Sequence, residues 1–113
     1  MTSPTRKDLF PGALEMMVLR ALSHEPRHGY ALVQHIKRTS NDLLQIEEGS
    51  LYPALQRMLR SGWLDARWDT SASGRRVRVY TITPSGATRL DREISRFEQM
   101  LEGIRLVLAP VKP

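Results

Sequence analysis

Six apolar residues near the C-terminal end, Leu90, Ile94, Phe97, Leu101, Ile104 and Leu108, step by four, three, four, three and four. No other pattern in the chain limits its architecture as tightly. The spacing is an a/d seam, and it predicts a helix that starts at the capping-type residues Thr83-Pro84-Ser85-Gly86 and runs to Ala109, where Pro110 stops it. Such a helix is roughly 35–40 Å long at 1.5 Å per residue. The chain has 113 residues, enough for one small domain plus this extension and too few for a second domain. A domain of that size offers little surface for so long an apolar stripe. A second copy of the chain is therefore the favoured partner, and packing on its own domain is the alternative.

Upstream, Leu14, Met17, Val18, Ala21 and Leu22 give one helical face between Gly12 and Ser23. Glu25-Pro26-Arg27-His28-Gly29 reads as a turn. Leu32, Val33 and Ile36 mark a second, short helix from Tyr30 to about Ser40, ended by Thr39-Ser40-Asn41-Asp42. Leu43-Leu44-Gln45-Ile46 reads as a brief strand. Glu47 and Glu48 suit the positive end of a third helix that buries Leu51, Leu55, Met58 and Leu59 and ends at Gly62. Pro53 conflicts with the early part of that helix, because it removes a hydrogen bond to the carbonyl of Gly49. Either the helix starts near Tyr52 or its first turn is distorted. Leu64 to Asp69 and Arg76 to Ile82 then alternate as two strands, with Leu64, Ala66 and Trp68 sharing a face and Thr70 to Arg75 forming the hairpin loop.

The net charge of +5 is confined to one segment: Gln56 to Arg92 holds eight arginines and three aspartates, and the flanking segments are balanced. A local basic stretch is what phosphate binding requires, although an arginine-rich solvated surface has the same composition. With no cysteine, disulfides, thiolate metal sites and cysteine nucleophiles are excluded. The three histidines, His24, His28 and His35, lie near Glu25, but Pro26 interrupts their helical spacing, so neither an enzyme nor a metal or other cofactor is expected. Residues 1–10 read as a polar arm without a signal-peptide core. Glu15 and Arg20 interrupt the most apolar stretch, so a cytoplasmic protein with no membrane partner is expected.

Three helices followed by two strands is the order of a winged helix-turn-helix, with the third helix entering the major groove. The fold expected is mainly α (α+β): a winged helix-turn-helix over residues 11–83 with a two-stranded β wing, then a dimerisation helix and tail over 84–113. On the reading helix Ser50, Pro53, Gln56, Arg57 and Arg60 form the solvent-facing stripe, with Tyr52 beside it. Gln pairs with adenine, and Arg with guanine or phosphate. Arg75, Arg76 and Arg78 at the hairpin tip stand where a wing meets the DNA backbone. A rival use of the same layout is protein contact, with the arginines meeting an acidic partner; it would show neither duplex preference nor steep salt dependence.

His28-Gly29-Tyr30, Glu48-Gly49-Ser50-Leu51-Tyr52-Pro53-Ala54-Leu55, Gly74-Arg75-Arg76 through Val79-Tyr80, and Thr83-Pro84-Ser85-Gly86 together resemble the PadR family of transcriptional regulators, in its short form with a single C-terminal helix. The resemblance spans Asp8 to Leu108. It implies a dimeric DNA-binding protein, most often a repressor, acting on a palindromic operator and joined through Leu90, Ile94, Phe97, Leu101, Ile104 and Leu108. It also implies that Leu-Tyr-Pro lies inside the reading helix, that Tyr30 and Tyr52 touch phosphate, with core packing as the alternative for Tyr30, and that Arg75 and Arg76 are wing contacts. Val77 and Val79 depart from the lysine and aromatic common in the family, which implies a weaker wing. Some short members sense flat aromatic compounds between subunits. Phe97 would line that effector pocket here, with a plain interface role as the alternative.

Overall fold

The computed structural model describes residues 9–111. Its elements, in chain order, are α1 (Ala13–His24), β1 (Arg27–His28), α2 (Gly29–Thr39), α3 (Glu48–Arg60), β2 (Leu64–Thr70), β3 (Arg76–Ile82) and α4 (Pro84–Leu108). The arm assigned to residues 1–10 falls almost wholly outside the described residues.

The first three helices form with their apolar faces inward. Leu14, Val18 and Leu22 of α1, Leu32 and Ile36 of α2, and Leu51, Leu55 and Met58 of α3 meet in one core, closed by Leu64, Tyr80 and Leu90. The ends follow local chemistry. Gly12 precedes α1 with φ 85, a left-handed backbone that a side chain would strain. Past α2, Asn41 and Asp42 both adopt positive φ, which short polar side chains tolerate best. At the end of α3 the amide of Gly62 bonds to the carbonyl of Leu59, and that of Trp63 to the carbonyl of Met58. With Gly62 at φ 78 this is a Schellman stop.

That stop is locked to the start of α4. The Thr83 hydroxyl donates to the Gly62 carbonyl at 2.6 Å and accepts the Gly86 amide at 3.0 Å, which caps the helix. A Cβ on Gly86 would collide with the Trp63 carbonyl, so only glycine lets α4 cross this closely.

Two expectations are corrected and a third is refined. Among the described residues the sheet has three strands, ordered β1-β3-β2, because Arg27 and His28 pair with Tyr80 and Val79 where a turn was expected. Two residues carry no alternation, and backbone pairing alone makes the strand. Leu43 to Ile46 is not a strand: Ile46 is buried and Leu44 packs beside the core, while Leu43 faces solvent. Trp68 shares its face with Leu64 and Ala66 as expected, but by that point the hairpin has run past the core and the ring is 57% exposed. The Pro53 conflict resolves in favour of the earlier start: α3 is continuous from Glu48 with the proline inside it.

Candidate nucleic-acid interface

The exposed side of α3 carries Tyr52, Pro53, Gln56, Arg57 and Arg60, and Ser50 is half-buried. These residues do not all face one way. At 3.6 residues per turn, Pro53, Gln56 and Arg60 lie opposite the buried row, while Tyr52 and Arg57 stand on opposite flanks.

The Tyr52 flank faces the wing. Its ring lies so close over Gly29, the first residue of α2, that a Cβ there would come within 2.6 Å of the hydroxyl and 2.8 Å of Cζ. The glycine between His28 and Tyr30 thus gives Tyr52 its seat. His28 caps α2, its Nδ1 accepting the Ala31 amide at 3.2 Å. Tyr30 is 58% exposed, so packing into the core is not its role. Tyr30, Tyr52, Trp68, Arg75, Arg76 and Arg78 line a cleft of about 550 Å³ between the start of α2 and the wing.

The wing tip is a tight turn: the Ser71 amide bonds to the Arg75 carbonyl at 2.7 Å and the Gly74 amide to the Ser71 carbonyl at 2.9 Å. Gly74 takes the positive φ this turn needs. Behind it, the Arg76 guanidinium stacks over the Trp68 ring at 4.6 Å and that of Arg78 lies 5.9 Å from the ring centre. Trp68 therefore holds two arginines along one edge of the cleft, a part that sequence reasoning missed. The available signal was the register, which sets Trp68 directly opposite Arg78. Among the described residues Arg75, Arg76 and Arg78 make no ion pair, whereas Arg27, Arg57, Arg67, Arg89 and Arg96 each have a carboxylate partner. Beneath the cleft Tyr80 is buried, which pushes its hydroxyl pKa up, partly opposed by the charge of Arg78.

Arg57 turns the other way. Its Nη2 meets Glu15 Oε1 of α1 at 2.9 Å, on the side of the molecule where Trp63, Arg89 and Glu93 gather.

The seam of α4 divides along its length. Leu90 is buried in the chain's own core, so this part of the stripe is intramolecular; Ile94, Phe97 and Leu101 are half-buried; Ile104 and Leu108 are exposed, the latter at 74%. Phe97 packs against Phe10 with ring centres 6.3 Å apart. It also closes an apolar groove of about 450 Å³ lined by Met16, Met17, Ile36, Leu44 and Ile94. At the rim of that groove His35 has its pKa lowered, first by burial and then by Arg27, Arg38 and His24, against a smaller opposing effect of Glu25. Among the described residues no group of histidines and carboxylates could hold a metal, and no helix is long and apolar enough to cross a membrane.

The model of the PadR-like family of transcriptional regulators matches residues 18–92. An uncharacterised protein of Lysinibacillus sphaericus is 28% identical over 103 residues, covering 91% of this chain and 94% of that protein. Among solved structures, a PadR family transcriptional regulator from Eggerthella lenta is 30% identical with a TM-score of 0.77, over 89% of this chain and 86% of its own. A PadR-like regulator from Bacillus cereus is 25% identical with a TM-score of 0.75, over 89% and 96%. A transcriptional regulator from Clostridium thermocellum shares the fold, with a TM-score of 0.81 at 22% identity over 88% and 93%.

Proposed function

This chain belongs to the PadR-like family of transcriptional regulators, non-enzymatic DNA-binding proteins, and from that premise we propose that it acts as a homodimeric repressor on a palindromic operator. The observation that carries the reading is the cleft between Tyr52 and the wing, where three arginines that pair with no carboxylate among the described residues stand beside two exposed tyrosines. Guanidiniums and phenols gathered on one edge are suited to phosphate. Tyr30, Tyr52, Arg75, Arg76 and Arg78 hold the backbone in this scheme, while Ser50, Pro53, Gln56 and Arg60 enter the major groove.

A second copy supplies the remaining apolar surface. The outer half of α4 leaves Ile104, Leu106, Val107 and Leu108 exposed, and the groove under Phe97 is open and apolar. In the proposed dimer Ile94, Phe97, Leu101, Ile104 and Leu108 bury one another, and the two reading helices meet successive major grooves about 34 Å apart. The same groove beside Phe97 offers a flat aromatic effector a place between subunits, from which it would shift the spacing of the reading helices and release the operator.

Selection of bound sequences from random duplex DNA tests this reading. It predicts recovery of one inverted repeat, with affinity that falls steeply as salt rises. Purified protein that ignores every duplex at low ionic strength overturns it.

A further inference from the structure

The sequence places Arg57 on the reading face, yet the structure engages it elsewhere. Arg57 lies roughly 70° around α3 from the centre of the exposed stripe, and its guanidinium is bound to Glu15 at 2.9 Å. The pair is asymmetric: the Arg57 side chain is 47% exposed, the Glu15 side chain only 16%. Removing Arg57 leaves a largely buried carboxylate without its cation, an unfavourable state that opposes any exchange of Glu15 for a phosphate. Nor can another cation easily take its place. Arg89, the other arginine lining this cavity, is held by Glu93 at 2.8 Å and stacks on Trp63 at 4.7 Å. Glu93 itself is shared with Arg96 at 3.3 Å.

Resting on the DNA-binding reading above, we infer that Glu15 is a positioning residue that withholds Arg57 from DNA. With Arg57 retained by α1, contact is left to Ser50, Pro53, Gln56 and Arg60 of α3 and to Tyr52 on the wing side. The retained arginine is one that would otherwise reach any phosphate near the end of α3, irrespective of sequence. Glu15 thus lowers sequence-independent affinity and sharpens discrimination, because phosphate contacts carry no base information.

The test uses four full-length proteins: wild type, Glu15→Gln, Arg57→Ala and the double variant. The probes are a labelled duplex recovered from a random pool with the wild-type protein and an unrelated duplex of the same length. Freed from Glu15, Arg57 gains a phosphate, so Glu15→Gln should bind both duplexes roughly tenfold tighter, with a salt slope steeper by about one per half-site. Arg57→Ala alone should stay within about twofold of wild type, and in the double variant the gain should vanish, which separates release of Arg57 from the mere loss of a negative charge. Glu15→Asp, whose carboxylate is one methylene too short to keep the contact, repeats the measurement should the glutamine variant fold poorly. A tenfold loss in Arg57→Ala, or unchanged or weaker binding after the Glu15 substitution, overturns the inference. Wild-type protein that binds neither duplex overturns the DNA-binding reading instead.

Discussion

Replacing Gly29 by alanine separates the seat of Tyr52 from the stability of the fold. An ideal Cβ at position 29 stands 2.6 Å from the Tyr52 hydroxyl, 2.8 Å from Cζ and 2.9 Å from Cε1. Ordinary carbon contacts need about 3.5–4.0 Å, so the ring must withdraw by roughly 1 Å. It can do so cheaply, because Tyr52 is 42% exposed and the obstacle is the far end of a side chain. The lost packing costs about 1 kcal/mol, and alanine in place of glycine at a compatible backbone position returns about 0.4–1 kcal/mol through the unfolded chain, so the melting temperature should move by only a few degrees. Operator affinity should respond far more. A hydrogen bond from the Tyr52 hydroxyl to a charged phosphate is worth about 1.5–3 kcal/mol, hence a loss of roughly 10- to 100-fold per half-site. Thermal melting by circular dichroism and fluorescence anisotropy on a duplex selected by the wild-type protein measure the two effects. Wild-type affinity with an unchanged melting temperature would refute the role given to Tyr52; a melting temperature lower by ten degrees or more would place Gly29 in the structural core instead.

Four further outcomes are expected. Trp68→Ala removes the ring that holds Arg76 and Arg78 and should weaken selected and unrelated duplexes alike by about two- to fivefold, since an exposed cation–π contact is worth about 0.5–1 kcal/mol; anisotropy at two salt concentrations checks this, and a loss confined to the selected duplex would contradict a phosphate role. Leu101→Glu, in the half-buried middle of α4, should yield monomers in sedimentation velocity with α4 still helical, and a dimer there means the seam is misplaced. Gly86→Ala should cost about 3 kcal/mol or more in urea unfolding, because the obstacle is the Trp63 carbonyl, while Gly103→Ala, which meets nothing, should gain about 0.5–1 kcal/mol. His35, with its folded pKa below 6.5, binds its proton more readily in the unfolded chain. Its contribution is fully present above about pH 6.5 and is lost as pH falls through the lowered value, so His35→Gln should flatten the acid side of a stability-against-pH curve.

The helices were legible because their signals are local. Leu14, Val18 and Leu22, or Leu51, Leu55 and Met58, state a 3.6-residue period within one segment, and Gly62, Thr83 and Pro84 mark ends within a few residues. What failed required knowledge of a distant partner. Arg27 and His28 become a strand only because Tyr80 and Val79 arrive beside them. Leu44 and Ile46 are apolar for the core, and nothing in the run shows that no strand lies alongside. Alternation correctly assigned Trp68 to the face of Leu64, but period says nothing of where the core beneath that face ends. The Arg57–Glu15 ion pair is hidden for the same reason: Glu15 lies 42 residues away on another helix, and a stripe drawn on α3 alone cannot reveal it.

The placement of Tyr52, by contrast, follows from two short motifs that are uninformative apart. His28 supplies the cap that starts α2, Gly29 removes the Cβ that would lift the ring, and Pro53 gives up a backbone hydrogen bond inside α3 right next to the tyrosine. A proline at this depth in a helix costs stability, so something other than stability favours it here. The groove contact proposed above would provide a reason: without an N–H and with its ring exposed, Pro53 would give α3 a smooth contact face directly beside the phenol. In such an arrangement Pro53→Ala should stabilise the helix while loosening the hold on DNA, the opposite signs expected of a residue kept for its surface and not for its fold.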